Sequence, residues 1–308
     1  MLASAAVALY AFDGTWNRDH ATSDDAAGGS GHNTNVKRFF DLYEGTRNSY
    51  LAGVGTRFGL LGRVAGGLFG LGGHARLDEM QASLRRNLDA GHAHINVVGF
   101  SRGAALALDF VNRLAKDGLT VDFLALFDVV AAFGLTINVG PLRFQEWNPG
   151  HHLVLPENVR VCCHAIALDE RRQTFAVTRV RHARAREVWF PGVHGDVGGG
   201  NGNSGLNDIS LRWMAVMAME AGLPGFTPAR IAAATTGWNP AAAVSRPPKY
   251  DLLKNRWRQV ETHDLVHYSV ALPRPLNSPS RELVRWEQPA GELALAAGDA
   301  TFLTAPHV

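Results

Sequence analysis

The chain has 308 residues and is 46% hydrophobic with a mean hydropathy of −0.06, which excludes a disordered or fibrous protein and allows one large domain. Its 30 basic and 28 acidic residues leave a net charge of +2, too small to direct the chain to nucleic acid or to an acidic membrane. We therefore expect no nucleic-acid partner, and any lipid contact must be local.

The opening run MLASAAVALYAF leads directly into Asp13. It lacks both the basic start and the cleavage spacer of a signal peptide, so it is interpreted as the first strand. No apolar run approaches the roughly 20 residues of a membrane span. The adjacent Cys162 and Cys163 provide no disulfide framework and are interpreted as small buried hydrophobes. We expect a protein that is cytoplasmic as synthesised, with export open only by a route that needs no cleavable signal peptide.

Five strand-like apolar runs follow one another along the chain, with helical segments between them. The runs are too continuous for a sheet with one solvated face, which favours a mostly parallel sheet with helices on both faces. The predicted fold class is therefore α/β. The runs are VALYAF near residue 10, HINVVGF ending at Phe100, DFLALFD ending at Asp128, RVCCHAIAL ending at Leu168 and REVWFPG ending at Gly192.

Helical patterns occupy two of the intervening segments. Leu106, Phe110 and Leu114 have the i, i+4, i+8 spacing of one buried helix stripe, and residues 77–88 carry acids early and arginines late, as a helix dipole prefers. Residues 58–73 are rich in glycine and large apolar residues, which is typical either of a mobile lid or of close glycine packing. We expect a single domain over residues 1–308, with 225–308 as a less regular part.

Ser101 stands between Gly99 and Gly103, where a β-branched run passes into a run of alanine and leucine. In a chain with 33 glycines the Gly-x-Ser-x-Gly pattern alone is modest evidence. Its position adds weight, because a strand precedes it and the small Ala104 and Ala105 allow the following helix to approach closely. A turn too sharp for a Cβ on either side holds a serine out from a sheet. Ser101 is therefore the predicted nucleophile.

A serine hydroxyl needs a base, and the base needs an acid that orients it, in the chain order acid and then histidine. Asp128 ends a strand-like run in apolar surroundings where an unpaired carboxylate would be costly. His194 follows a later run in the glycine-rich loop PGVHGDVGGGN. Asp196 is the alternative acid, or it fixes this loop by hydrogen bonds; Asp128 is preferred.

An oxyanion hole would complete this chemistry with backbone donors. The amide of Arg102, directly after the serine, is one predicted donor. The turn FDGTWN after the first strand offers Asp13 and Gly14 as candidates for the second.

Seven segments in chain order resemble the signature segments of the α/β-hydrolase family that includes the catalytic domains of type VI secretion phospholipase effectors. The resemblance runs from about Ala8 to Leu223. It implies a serine esterase, in some members acting on phospholipid acyl bonds, with Ser101 as nucleophile, Asp128 as acid and His194 as base. It implies no metal or organic cofactor. The segments are FDGTWN, HNTNVKRFF, YLAGVGT, GFSRGAA, FDVVAAFG, HAIALDERRQTF and VWFPGVHGDVGGG.

Two further clusters carry weaker signals. His263 and His267 are spaced i, i+4 and could ligate a metal, but without a third ligand nearby a structural or pocket-lining role for His267 is preferred. The basic run 179–186 could contact lipid phosphates, although a solvated face is the commoner role of such a run.

Two functional hypotheses remain at this point. The first is a serine esterase with an ester or lipid substrate, transient contact with a membrane surface and a partner from a secretion system. The second is a non-catalytic α/β-hydrolase scaffold that binds a partner, because a fold does not dictate a function. The intact serine, aspartate and histidine favour the first.

Overall fold

The computed structural model describes residues 7–14, 32–53, 71–131, 138–139, 142–143, 153–245, 256–271 and 285–287. Ten strands lie within these ranges, and eight of them form one sheet in which every pairing is parallel. The strands are β1 (Val7–Phe12), β2 (Arg47–Leu51), β3 (His94–Phe100), β4 (Val121–Phe127), β5 (Asn138–Val139), β6 (Leu142–Arg143), β7 (Val159–Ala167), β8 (Ala185–Phe190), β9 (Leu265–His267) and β10 (Arg285–Glu287). The large sheet has the order β2-β1-β3-β4-β7-β8-β9-β10, and β5 pairs with β6 in a separate antiparallel ribbon.

Six α-helices lie in the same part of the chain and cover both faces of the sheet. They are α1 (Asn35–Leu42), α2 (Leu71–Asp89), α3 (Arg102–Lys116), α4 (His194–Gly198), α5 (Ser204–Glu220) and α6 (Pro228–Ala234). Side chains of α2 and α3 pack on one face, and those of α1, α5 and α6 pack on the other. The prediction of an α/β-hydrolase-like fold with a parallel sheet and helices on both faces is confirmed.

The predicted strands and helical stripe are found where the apolar patterns indicated. All five apolar runs are strands of the large sheet, and the 77–88 segment lies inside α2. Leu106, Phe110 and Leu114 are buried on α3, and Cys162 and Cys163 are buried and unbridged. Residues 58–70, most of the segment interpreted as a lid or as glycine packing, lie outside the described residues.

The C-terminal part of the chain contributes to the same sheet. Within 225–308 the structure describes α6, a three-residue β9 beside β8, and an equally short β10 beside β9. None of the helices in the described ranges combines the length and the apolar character needed to cross a membrane.

The strand order brings several loops to one edge of the sheet. β1 has β2 on one side and β3 on the other, so the direction of winding reverses there. In open parallel sheets ligands bind beyond the carboxyl ends of the strands at such a reversal. The residues that follow β1, β3, β4 and β8 at this edge include Asp13, Ser101, Asp128 and His194.

Candidate active site

Ser101 forms the turn between β3 and α3 in a strained backbone conformation. Its φ of 59° and ψ of −126° lie in a region that non-glycine residues rarely adopt. The Ser101 amide donates a 3.0 Å hydrogen bond to the carbonyl of Phe127 at the end of β4, which helps to hold the turn. This is the geometry by which a sharp strand-to-helix turn presents a serine hydroxyl at the edge of a sheet.

The two glycines beside Ser101 are explained by close backbone packing. A Cβ on Gly99 would lie 2.7 Å from the Cα of Ala104, closer than real Cβ atoms approach. A Cβ on Gly103 would overlap the carbonyl oxygen of Phe12, where α3 meets the end of β1. Neither position has room for a side chain, in agreement with the steric reason given for the sequence pattern.

Three buried side chains from separate loops form one line of hydrogen bonds. The Nε2 atom of His194 lies 2.8 Å from the Oγ atom of Ser101, and its Nδ1 atom lies 2.5 Å from Oδ2 of Asp128. With Nδ1–H donating to the carboxylate, Nε2 is left to accept the serine proton. The structure thus brings together the three residues that the sequence analysis predicted as nucleophile, base and acid.

His194 is enclosed by aromatic rings and opens the short helix α4. The ring centroids of Phe100 and Phe175 lie 4.6 and 4.8 Å from that of the imidazole, and the His194 amide donates to Oε2 of Glu170. Burial lowers the pKa of His194, against the opposing effect of Asp128. The imidazole is therefore neutral at neutral pH, which is the form a general base requires.

Asp128 is completely buried and is held from several sides. Its Oδ1 atom accepts a 3.0 Å hydrogen bond from the Ala167 amide, and Arg258 donates to both carboxylate oxygens, at 2.5 and 3.0 Å. Burial alone would raise the pKa of Asp128, but the Arg258 cation and the hydrogen bond from His194 hold it well below its usual range. The carboxylate is consequently ionised at neutral pH.

The residue after Asp128 is anchored by a second buried histidine. The Val129 amide donates to Nε2 of His164 at 3.2 Å, and Nδ1 of His164 hydrogen-bonds to Glu187 at 2.9 Å. Because Asp128 itself has a positive φ of 41°, these contacts help to keep an unfavourable turn in place.

Arg258 is a site residue that the sequence analysis missed. Its guanidinium is buried and also donates to the carbonyls of Ala167 and Phe175, at 2.8 and 2.6 Å. It lies in the arginine-rich segment NRWRQV, where no motif sets it apart from its neighbours. Only the fold brings it to Asp128, 130 positions earlier in the chain.

Asp196, the alternative acid, lies in the same loop as His194 but its carboxylate binds other groups. It is fully buried and fixes the loop through hydrogen bonds to both oxygens. The donors are the amides of Val193 and Ser245, the Ser245 hydroxyl and the side-chain amides of Asn201 and Asn203. Of the two predicted acids, Asp128 is the one that hydrogen-bonds to the imidazole.

The residues predicted for the oxyanion hole lie around the Ser101 turn. Arg102 is the first residue of α3, whereas the Asp13 amide donates to the carbonyl of Leu51 and the Gly14 amide donates to the Asp13 carboxylate at 2.6 Å. Burial raises the pKa of Asp13 to about 6. The Arg102 amide is at a helix start, where donors face outward, while Gly14 would have to exchange its present acceptor for an oxyanion. The oxyanion role of these residues stays a prediction.

The remaining histidine pair does not share one helix face. His263 is exposed in a turn, whereas His267 is buried in β9, stacks on Phe190 at 4.7 Å and shares a hydrogen bond with Ser269. Within the described ranges, no group of three residues is arranged to hold a metal ion.

The basic run 179–186 is largely occupied by acidic partners. Arg179 forms ion pairs with Glu187 and Asp264, and the exposed Arg181 pairs with Glu261. The run ends in the first two residues of β8, at the amino end of that strand, whereas Ser101 lies at the carboxyl edge of the sheet.

The sheet, the two helical layers and the strained serine turn are those of an α/β-hydrolase-like fold. Residues 9–119 and 106–217 match the family model described as "T6SS, Phospholipase effector Tle1-like, catalytic domain". These matches span most of the chain, and the protein belongs to this family. Arg258 lies beyond the matched residues.

Solved structures provide a second comparison. A crystal structure of an uncharacterized protein from Pseudomonas aeruginosa is 22% identical, with a TM-score of 0.52 over 76% of this chain and 48% of that one. A structure of the Tle1 effector bound to the VgrG spike from the type 6 secretion system is 23% identical, with a TM-score of 0.47 over 65% of this chain and 52% of that one. The chain thus spans about half the length of each. No curated protein sequence matches it.

Proposed function

We propose that this protein is a serine hydrolase that cleaves the carboxylic ester bonds of phospholipids or related lipids. The observation that carries the proposal is the buried line of hydrogen bonds from Asp128 through His194 to Ser101. Membership of a phospholipase effector family supports a lipid substrate over other esters.

The proposed reaction is acyl transfer in two steps. Ser101 attacks the ester carbonyl as His194 takes its proton, and the imidazolium then protonates the departing alkoxide to leave an acyl-serine. Water, deprotonated by His194, releases the fatty acid and restores the serine hydroxyl. Asp128 holds the imidazole and stabilises its charged form, while the amides of Arg102 and Gly14 stabilise the oxyanion.

A substrate panel tests this function directly. Wild-type protein should release fatty acid and lysolipid from a phospholipid and should hydrolyse p-nitrophenyl esters, whereas Ser101→Ala should do neither. Hydrolysis of short esters without lipid would restrict the proposal to a general esterase. Absence of turnover by the wild type, or equal turnover by Ser101→Ala, would overturn it in favour of a partner-binding scaffold.

Lipid hydrolysis requires contact with a membrane surface, and one exposed cluster fits that role. Arg171 lies 3.4 Å above the ring of Trp257, whose side chain is 39% exposed, and Arg256 lies next to it with its amide bonded to the Arg171 carbonyl. Neither guanidinium has an acidic partner among the described residues. Tryptophan favours the membrane interface, and each arginine near an anionic surface adds about 1 kcal/mol of attraction. The segment that carries Arg171 also supplies Phe175 to the site, and the segment that carries Trp257 also supplies Arg258.

We expect the double substitution Arg171→Glu and Trp257→Ala to weaken sedimentation with phosphatidylglycerol vesicles by about tenfold, from the loss of attraction and interfacial area. Its hydrolysis of vesicle lipid should fall far more than its hydrolysis of a soluble short ester. Arg181→Glu, an equal charge change at the opposite edge, serves as the control. If Arg181→Glu weakened vesicle binding as much as the double substitution, membrane binding by this surface would be contradicted.

The family also supports a partner from a type VI secretion system and export by that system. The partner and the export route are both part of the proposed function. Co-purification with a secretion-system spike protein, against Ser101→Ala as a folded but inactive control, would test the partnership independently of activity.

A further inference from the structure

We propose that Arg258 is a positioning residue that holds the Asp128 carboxylate against His194, and thereby sets the lower pH limit of ester hydrolysis. This inference rests on the proposed function, because it assigns a role in that same site.

The geometry fixes Arg258 as a two-pronged clamp on the acid. Its two terminal nitrogens lie 2.5 and 3.0 Å from the two oxygens of Asp128, and each also donates to one backbone carbonyl. A planar guanidinium held at both ends in this way fixes the carboxylate plane as well as its position. One of these nitrogens shares Oδ2 with Nδ1 of His194, so the guanidinium constrains the direction in which Oδ2 accepts from Nδ1.

Because the Arg258–Asp128 ion pair is buried, the charge of Arg258 acts strongly on Asp128. Asp128 is fully buried and Arg258 is 9% exposed, so water screens the pair poorly. Removing one partner of a buried ion pair leaves an uncompensated buried charge, and this strongly lowers the stability of the fold. Arg258 thus lets the site hold an ionised carboxylate at all.

Few other charged groups lie close to Asp128 and His194. His194 is near Asp128 and Arg258, and its amide bonds to Glu170, whose charge is paired with Arg172. Its other close neighbours are the rings of Phe100 and Phe175, and Asp128 is otherwise held by the Ala167 amide. Arg258 is therefore the cation that directly offsets Asp128 among the described residues.

The sign of the effect on His194 follows from this arrangement. Burial lowers the pKa of His194, the Asp128 carboxylate raises it, and the Arg258 cation adds to the lowering. Removing the cation raises the pKa of His194, so a larger fraction of the base is protonated in mild acid. Because hydrolysis needs the neutral imidazole, the acid limb of kcat/KM should move to higher pH.

Arg258→Gln and Arg258→Lys form a matched pair for the test. Glutamine can still donate a hydrogen bond to Asp128 but carries no charge, whereas lysine keeps the charge without the two-pronged geometry. On a soluble p-nitrophenyl ester, Arg258→Gln should shift the acid limb upward by about one pH unit, so its loss of kcat/KM is about tenfold greater in mild acid than in mild base. Arg258→Lys should lower kcat/KM but keep the wild-type acid limb.

Arg160→Met is the control, because it removes an exposed arginine that pairs with Asp122 at the amino ends of β7 and β4. It should leave the acid limb in place. Equal losses at every pH for Arg258→Gln, or the same shift in Arg258→Lys, would overturn the proposal and leave Arg258 a purely structural residue.

A second readout separates this inference from the proposed function. The His194 imidazole can be titrated by NMR in wild type and in both Arg258 variants, with His194→Gln identifying its signal. A higher pKa of His194 in Arg258→Gln than in wild type is expected even if no ester is hydrolysed. An unchanged pKa would overturn the role of Arg258 whatever the activity, while absence of wild-type turnover alone would overturn only the enzyme assignment.

Discussion

Ser101→Ala is expected to lower kcat/KM for ester substrates by about 10⁴-fold or more without unfolding the protein. The substitution removes the attacking oxygen and leaves the base, the acid and the surrounding amides in place. Residual turnover would then reflect only binding and oxyanion stabilisation, which retain a small part of such catalysis. Steady-state kinetics on a p-nitrophenyl ester, with circular dichroism to check the fold, measures the loss.

Ser101→Gly provides the matched comparison because it removes the same hydroxyl. The φ of 59° at this position disfavours any side chain, and glycine adopts such conformations without steric cost. We expect Ser101→Gly to be more stable than Ser101→Ala by about 1 kcal/mol in the free energy of unfolding, while both are equally inactive. Equal stability of the two variants would contradict the strained turn, and activity in either would contradict the nucleophile.

Local sequence pattern predicted the central strands because each of them is buried on both faces. The runs that became β1, β3, β4, β7 and β8 are predominantly apolar, and burial on both faces favours that composition. Strand β2, RNSYL, is polar and only partly buried at the edge of the sheet, so its sequence has no such run. Strands β9 and β10 have three residues each, too few for a periodic pattern to form.

The candidate site was predictable to the extent that its residues carry local signals. Ser101 lies in a strand-turn-helix pattern that requires glycines for steric reasons, and His194 lies in a glycine-rich loop after a strand. Two acids satisfied the sequence criteria, and only the packing shows which of them meets the imidazole. Arg258 has no local signal, because its role depends on a buried partner far away in the chain.

The raised pKa of Asp13 is another property that no local pattern could predict. Its carboxylate accepts hydrogen bonds from Thr34 and Tyr50, which belong to different elements, and its burial results from their meeting at the end of β1. A sequence reading identifies the turn but not the enclosure of the acid. Electrostatic properties of this kind follow from tertiary packing.

Asp128→Asn should have the second largest effect, because it damages both catalysis and folding. An amide can present its NH₂ group to His194 and so favour the wrong tautomer, for which we expect a loss in kcat of about 10⁴-fold at neutral pH. The same substitution leaves the buried Arg258 without a counter-charge, which should lower the free energy of unfolding by about 3–5 kcal/mol. Denaturant unfolding and kinetics normalised to folded protein measure the two effects separately.

Asp128→Asn should also change how the free energy of unfolding depends on pH. Because the pKa of folded Asp128 lies below its unfolded value of about 3.9, the acid stabilises the fold fully above that pH and loses its effect as the pH falls further. In Asp128→Asn the free energy of unfolding should therefore fall less steeply in acid than it does in the wild type. The difference in stability between the two proteins should become smaller in strong acid.

Asp196→Asn distinguishes the two acids that the sequence left open. Its carboxylate accepts hydrogen bonds that close the His194 loop, so its loss should also lower the free energy of unfolding. It does not hydrogen-bond to the imidazole, however, and the fraction of Asp196→Asn that is folded should keep a much higher kcat than Asp128→Asn. The reverse order of activities would transfer the role of acid to Asp196. Since both variants replace a buried acid, only the contact with His194 separates their expected effects on kcat.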